Sequence, residues 1–197
     1  MIDSFDYGPF SLINDRSSEV TGTQIGGMLG GSRFIGISTA RRSTVVTSEI
    51  ISGSSLLTFD TGDGPALGTS LGEGYIRLRW VTNPAMSLIG FENFLLDVAT
   101  LQGTGQVNIG INRASGAGSG STWIPLSASG ILLIPFDKVD VEAGSLAGVT
   151  TTTLTISGTS ADFSLAIGSF TVVPEPSPAA LFIVAIVLSF SRRNRRC

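Results

Sequence analysis

Apolar and polar side chains alternate at intervals of two along much of this chain, and no run of ordinary helical length with caps appears before residue 177. Gly74 to Val81 carries the pattern most cleanly. Ile76, Leu78 and Trp80 fall on one side and Tyr75, Arg77 and Arg79 on the other, as the two-residue period of a strand requires. A chain patterned in this way buries one face of each strand. It must therefore pair its strands into sheets and pack the apolar faces together.

Further short runs fit the same reading. Ile2–Asp6, Phe10–Asn14, Thr44–Ile51, Ser54–Phe59, Gln106–Asn112, Trp123–Leu126, Gly130–Phe136, Thr150–Ile156 and Phe163–Val173 are apolar, β-branched or alternating. Gln24–Ala40 is interrupted by Gly26-Gly27 and Gly30-Gly31, which points to a bulge or tight corner. Residues 15–24 are polar and read as loop or edge. Asn83-Pro84 is expected to end the Gly74 strand. Met86–Val98 has Leu88, Phe91, Leu95 and Val98 at near-helical spacing, but its glycine and its surroundings favour strand. Residues 114–121 (ASGAGSGS) read as a flexible loop. With 25 glycines as punctuation, these intervals predict an all-β antiparallel sandwich over residues 1–173.

The last 24 residues differ in kind. Pro174, Pro176 and Pro178 keep the chain extended. Ala179–Phe190 then carries no charge, and Arg192, Arg193, Arg195 and Arg196 follow. The apolar stretch lacks the polar face of a core helix. A helix over about 178–191 is therefore expected in a membrane, with the arginines on the cytoplasmic side. Twelve residues of helix span only about 18 Å against about 30 Å of hydrocarbon, so the anchor reads as transient. Pro174-Glu175-Pro176, the apolar run and the basic end together resemble the PEP-CTERM sorting signal of bacterial surface proteins. The resemblance implies an exosortase-type processing enzyme acting near Pro174, Glu175 and Pro176. It also implies passage through the inner membrane and delivery of residues 1–173 to the cell surface or the extracellular matrix. Such a chain should open with a secretory signal. Met1–Phe5 has none, so that signal is expected upstream of this start.

Setting aside those four arginines and Glu175 leaves 8 basic and 14 acidic residues, a net charge near −6 for residues 1–173. Lys138 is the only lysine. Nucleic acid is an unsuitable partner for such a surface, since phosphate contacts need clustered Lys and Arg. Arg41-Arg42 and Arg77-x-Arg79 read as solvated strand edges. The single cysteine, Cys197, is the last residue, so no disulfide staples the sandwich.

The chain has no histidine, which removes the commonest general base, the usual zinc ligand and the Ser-His-Asp triad. Gly116-x-Gly118-x-Gly120 lacks the strand-to-helix context of a phosphate cradle. No catalytic residue is assigned, and the chain is expected not to be an enzyme. Asp60-x-x-Asp63 and Asp137-x-x-Asp140-x-Glu142 supply hard oxygens of the type calcium takes, although turn-forming Asp is the simpler reading of both. No other cofactor is implied.

An opening Ile2-Asp3-Ser4-Phe5, the segment Leu29–Arg33 and the strand Ile134–Phe136 resemble secreted jelly-roll domains of the carbohydrate-binding-module type. In that setting exposed aromatics would stack on sugar rings. Trp80 shares a face with Ile76 and Leu78 and belongs to the core, so Tyr75 and Trp123 are the candidate glycan contacts. The leading expectation is a non-catalytic surface or matrix protein. A carbohydrate-binding module for exopolysaccharide and a glycan-active hydrolase are the alternatives.

Overall fold

The alternation in the sequence becomes two antiparallel sheets packed face to face. The computed structural model describes residues 1–6, 10–14, 19–26, 28–39, 46–50, 56–61, 74–116, 118–139, 146–160 and 162–174. In chain order the strands are β1 (Phe10–Asn14), β2 (Val20–Ile25), β3 (Ser32–Thr39), β4 (Val46–Ile50), β5 (Leu57–Asp60), β6 (Gly74–Met86) and β7 (Phe91–Gln102). There follow β8 (Gly105–Arg113), β9 (Gly118–Gly120), β10 (Ile124–Leu126), β11 (Gly130–Pro135), β12 (Val149–Gly158) and β13 (Ser164–Pro174). One sheet runs β1-β4-β5-β13-β7-β11. The other runs β10-β8-β12-β6-β3-β2, with β9 added on β8. We call them the six-stranded and the seven-stranded sheet.

The period-2 pattern decides which side of each strand is buried. In the seven-stranded sheet Ile35 pairs with Leu78, Leu78 with Leu154 and Leu154 with Ile109, one continuous inward row. Ile37, Ile76, Ile156 and Val107 form the next row, and all of these side chains are buried. The six-stranded sheet answers with Leu57, Phe59, Phe94, Leu96, Val98, Ile134, Leu165, Ile167 and Phe170. Each such side chain contributes about 1.5–3 kcal/mol on leaving water. Trp80 stacks on Phe170 at 5.4 Å across the sheets, and Phe170 stacks on Phe94 at the same distance. Trp80 therefore belongs to the core, as its place beside Ile76 and Leu78 predicts.

A buried polar cluster closes the same end of the core. Arg33 lies on the inward side of β3 with no exposed surface. It donates to the Asp3 carboxylate through Nη1 and to Gln24 Oε1 through Nη2. Asp3 also accepts from Trp80 Nε1 at 2.8 Å and from the Phe5 amide at 2.9 Å. The guanidinium lies 4.8 Å above the Phe5 ring. Burial lowers the pKa of Arg33 from its ordinary value, and the neighbouring Asp3 carboxylate opposes that shift. The Asp3 backbone meanwhile bridges Phe170 of the six-stranded sheet. The opening segment thus braces one sheet to the other, where the sequence suggests only a short strand.

Expectations for local structure sharpen at four places. Val20–Ile25 is a strand at the edge of the seven-stranded sheet, the edge reading of this stretch and not the loop. Its inward positions are Val20, Gly22 and Gln24, so the hydrophobic signal is weak, and Gln24 is there to satisfy Arg33. β6 continues past Asn83-Pro84 to Met86, because pairing with β12 passes from Val81↔Thr151 directly to Met86↔Val149. No ladder partner on β12 depends on the missing proline N–H. Met86–Val98 divides into the end of β6 and the start of β7, and its helical spacing goes unused. Within 114–121, Gly118–Gly120 pairs with β8.

The C-terminal expectation is also corrected. Among the described residues the fold class is the antiparallel sandwich, with no added hydrophobic helix. Among the described residues no helix is long and apolar enough to cross a membrane, and the helix expected over about 178–191 lies outside them. Pro174 is exposed and closes β13 opposite Phe91. Glu175, Pro176, Arg192, Arg193, Arg195 and Arg196 lie outside the described residues.

Candidate functional site

The outward side of the seven-stranded sheet collects the polar half of its alternation. Three rows run across it, perpendicular to the strands. The first is Thr23–Phe34–Arg79–Thr153–Gly110. The second is Thr21–Gly36–Arg77–Thr155–Asn108. The third is Ser38–Tyr75–Ser157–Gln106–Pro125. The two arginines are therefore not on a strand edge as their sequence suggested. β6 is an interior strand with β3 on one side and β12 on the other.

Arginine and aromatic side chains lie flat on one another here. The Arg79 guanidinium sits 4.6 Å above the Phe34 ring, and that of Arg77 sits 5.1 Å from the centre of the Tyr75 ring. Arg77 Nη1 also donates to Glu19 Oε2 at 3.4 Å. Both partners are partly exposed, and a single long contact of this kind contributes little to stability. Room for Glu19 comes from Gly36, where a Cβ would stand 2.2 Å from Glu19 Oε1. Among the described residues Arg79 has no carboxylate partner.

Trp123 flanks this surface at the β10 edge and is 40 % exposed. It stands two residues before Pro125, the position that pairs with Gln106 in the third row. The segment leading to it is fixed to β8. Ser121 N donates to Ile109 O at 2.8 Å, Ile109 N donates to Ser121 Oγ at 2.9 Å, and Asn108 Nδ2 donates to Ser121 O. Tyr75 is half-buried in the third row, and Trp123 lies just before β10, at the edge of the same sheet. Phe34, Arg79 and Glu19 are the members that sequence reading missed. The outward parity of Arg79 was visible, but nothing local indicated that β3 would set Phe34 beneath it.

The acidic groups are not brought together. Asp60 is at the end of β5, in register with Ser164 and through it with Gln102. Asp137 follows β11, whose Pro135 pairs with Asn93. The two are thus level with opposite ends of β7, about 30 Å apart at a strand's rise per residue. Asp63, Asp140 and Glu142 lie outside the described residues. Among the described residues no group of three or more His, Cys, Asp or Glu side chains is placed to hold a metal ion.

Comparison with known proteins adds the fold and no more. No protein-family model matches the chain, and no curated protein matches it. Solved structures do. A meso-active, thermostable cellulase derived from that of Rhodothermus marinus superposes with a TM-score of 0.50 at 8 % identity, over 85 % of this chain and 100 % of that one. A metagenome-derived family 12 glycoside hydrolase, an endoglucanase, gives 0.49 at 7 % identity over 86 % and 100 %. The family 11 carbohydrate-binding module of a Clostridium thermocellum cellulosomal cellulase gives 0.45 at 11 % identity over 89 % and 94 %.

These findings correct the remaining expectations. The PEP-CTERM resemblance gains no family match and no membrane-crossing helix among the described residues. The exosortase partner, the inner-membrane step and the surface localisation rested on it and are withdrawn. The expectation of a non-enzyme is withdrawn too, since a cellulase has this fold and the architecture gives no ground for excluding catalysis. The described residues form an antiparallel β-sandwich of jelly-roll type, a fold shared with that cellulase.

Proposed function

We propose that the chain is a carbohydrate-binding β-sandwich domain, and that its glycan platform is the outward face of the seven-stranded sheet. The observation that carries this reading is the combination of ring faces and fixed donors on one surface. Phe34 on β3, Tyr75, Arg77 and Arg79 on β6, and Gln106 and Asn108 on β8 fall in rows across the sheet, with β12 between β6 and β8. A sugar ring has an apolar face of C–H groups and a rim of hydroxyls. Aromatic rings suit the face, and amides and guanidinium groups suit the rim. Tyr75 and Trp123 stand about three strand spacings apart, roughly 14 Å, so a ligand touching both is an oligosaccharide or longer.

Affinity electrophoresis of the full chain through gels containing soluble polysaccharides tests this. Tyr75→Ala and Trp123→Ala should each weaken retardation about tenfold, as the loss of an aromatic contact worth 1–2 kcal/mol implies, with the melting temperature unchanged. Full retardation of both variants would overturn the reading.

A glycan-active hydrolase is the second reading, and its support is the fold shared with a cellulase. That chemistry requires two carboxyl groups about 5–10 Å apart. Among the described residues this face offers Glu19 alone. Release of reducing ends from a retarding polysaccharide would decide for it.

A further inference from the structure

We propose that the polysaccharide taken by this face is acidic, and that Arg79 and Arg77 recognise its carboxylates. The proposal rests on the glycan-platform reading and adds the chemical class of ligand.

The first observation is a segregation of charge between the sheets. On the outward side of the seven-stranded sheet its strands present Arg77 and Arg79 and no Asp or Glu, Arg33 being buried and bound to Asp3, and Glu19 before β2 is the carboxylate that reaches this side among the described residues. The strands of the six-stranded sheet carry Glu49, Asp60, Glu92 and Asp97 and no Lys or Arg. The chain as a whole is acidic, with a net charge of −3, yet among the described residues the candidate face carries two arginines against Glu19. At physiological ionic strength charges are screened within about 8 Å. A bound anion therefore responds to the arginines beside it more than to the opposite sheet.

The second observation is how those arginines are held. Arg79 is exposed, pinned over Phe34, and without a carboxylate partner among the described residues. Stacking restricts the side chain while leaving its N–H groups to the rim of the plane, where a carboxylate binds side-on. Arg77, two residues along the same strand face and about 6.6 Å away at the backbone, holds Glu19 through one 3.4 Å contact. Glu19 occupies the place that an incoming carboxylate would take, so it acts as a weak internal competitor. A neutral glycan can accept from the guanidinium through its hydroxyls, whereas a polyuronate also supplies the counter-ion that Arg79 lacks among the described residues and makes the hydrogen bonds charge-assisted.

The test compares retention of the full chain by polygalacturonate and by neutral hydroxyethylcellulose. Polygalacturonate should bind at least about tenfold more tightly, and the difference should shrink as salt is raised. Arg79→Gln should lower polygalacturonate affinity about tenfold or more and leave hydroxyethylcellulose unchanged, with Arg79→Lys recovering part of the loss. Glu19→Gln should raise polygalacturonate affinity. Equal retention by both polymers overturns the acidic-ligand proposal and leaves the glycan platform standing. Failure to retain on any polysaccharide overturns both. Equal loss on both polymers in Arg79→Gln, or no loss at all, overturns the assigned role of Arg79. Equally tight capture by phosphatidylglycerol vesicles would mean that charge alone is read, which also overturns the proposal.

Discussion

Arg33 carries the heaviest structural obligation of any single residue described. Its charge is taken wholly out of water, and Asp3 and Gln24 answer only part of its donor set, with Nε left without an acceptor among the described residues. Removing one member of such a pair strands the other. Asp3→Ala should therefore cost about 3–5 kcal/mol in urea denaturation. Combining it with Arg33→Met should cost less than the two single changes added together, because the stranded charge leaves with its partner. Strict additivity would show that the two groups do not interact. Gly30 is constrained differently. Its φ is +74°, and a Cβ there would stand 1.9 Å from Val81 O, so the turn into β3 admits no side chain without displacing β6.

At the scale of the element, β12 shows how one strand serves two purposes. Leu154 points into the core between Leu78 and Ile109, and Thr153 points outward between Arg79 and Gly110. Leu154→Ala should destabilise by about 2–5 kcal/mol, from lost burial and the cavity left behind. Thr153→Ala should stay within about 0.5 kcal/mol. Equilibrium unfolding of the two variants checks both, and similar costs would mean that the register is wrong by one residue. β6 follows the same division, with Trp80 inward and Arg79 outward. A fold that depends on this strand for its core can still vary the strand's outer side chains for binding.

For the whole molecule, the opening segment matters more than its length suggests. Ile2 and Phe5 are buried, the Asp3 backbone joins the six-stranded sheet, and the Asp3 side chain holds Arg33 and Trp80 of the seven-stranded sheet. Deleting residues 1–6 removes two buried hydrophobic side chains and strands the arginine at once. The expected result is loss of a cooperative thermal transition near that of the intact chain. A truncated chain melting within a few degrees of the intact one would refute the bracing role. The proposed glycan face lies on the outer side of the seven-stranded sheet, so Tyr75→Ala should leave that transition in place.

What the sequence determines by itself is the local period. Because side chains on a strand alternate strictly, Ile76, Leu78 and Trp80 are assigned to the core and Tyr75 to the surface without knowledge of any partner strand. The same rule finds most strands, and it fails where inward positions are filled by Gly22 and Gln24, since their fitness is set by Phe10 and Arg33 on other strands. It does not reach the site. Phe34 lies under Arg79, Glu19 reaches Arg77, and basic and acidic strands separate into different sheets only through strand order and register. Those are set by which inward faces pack together over long separations in sequence. Local pattern decides which side of a strand meets water, and tertiary pairing decides which side chains meet one another there.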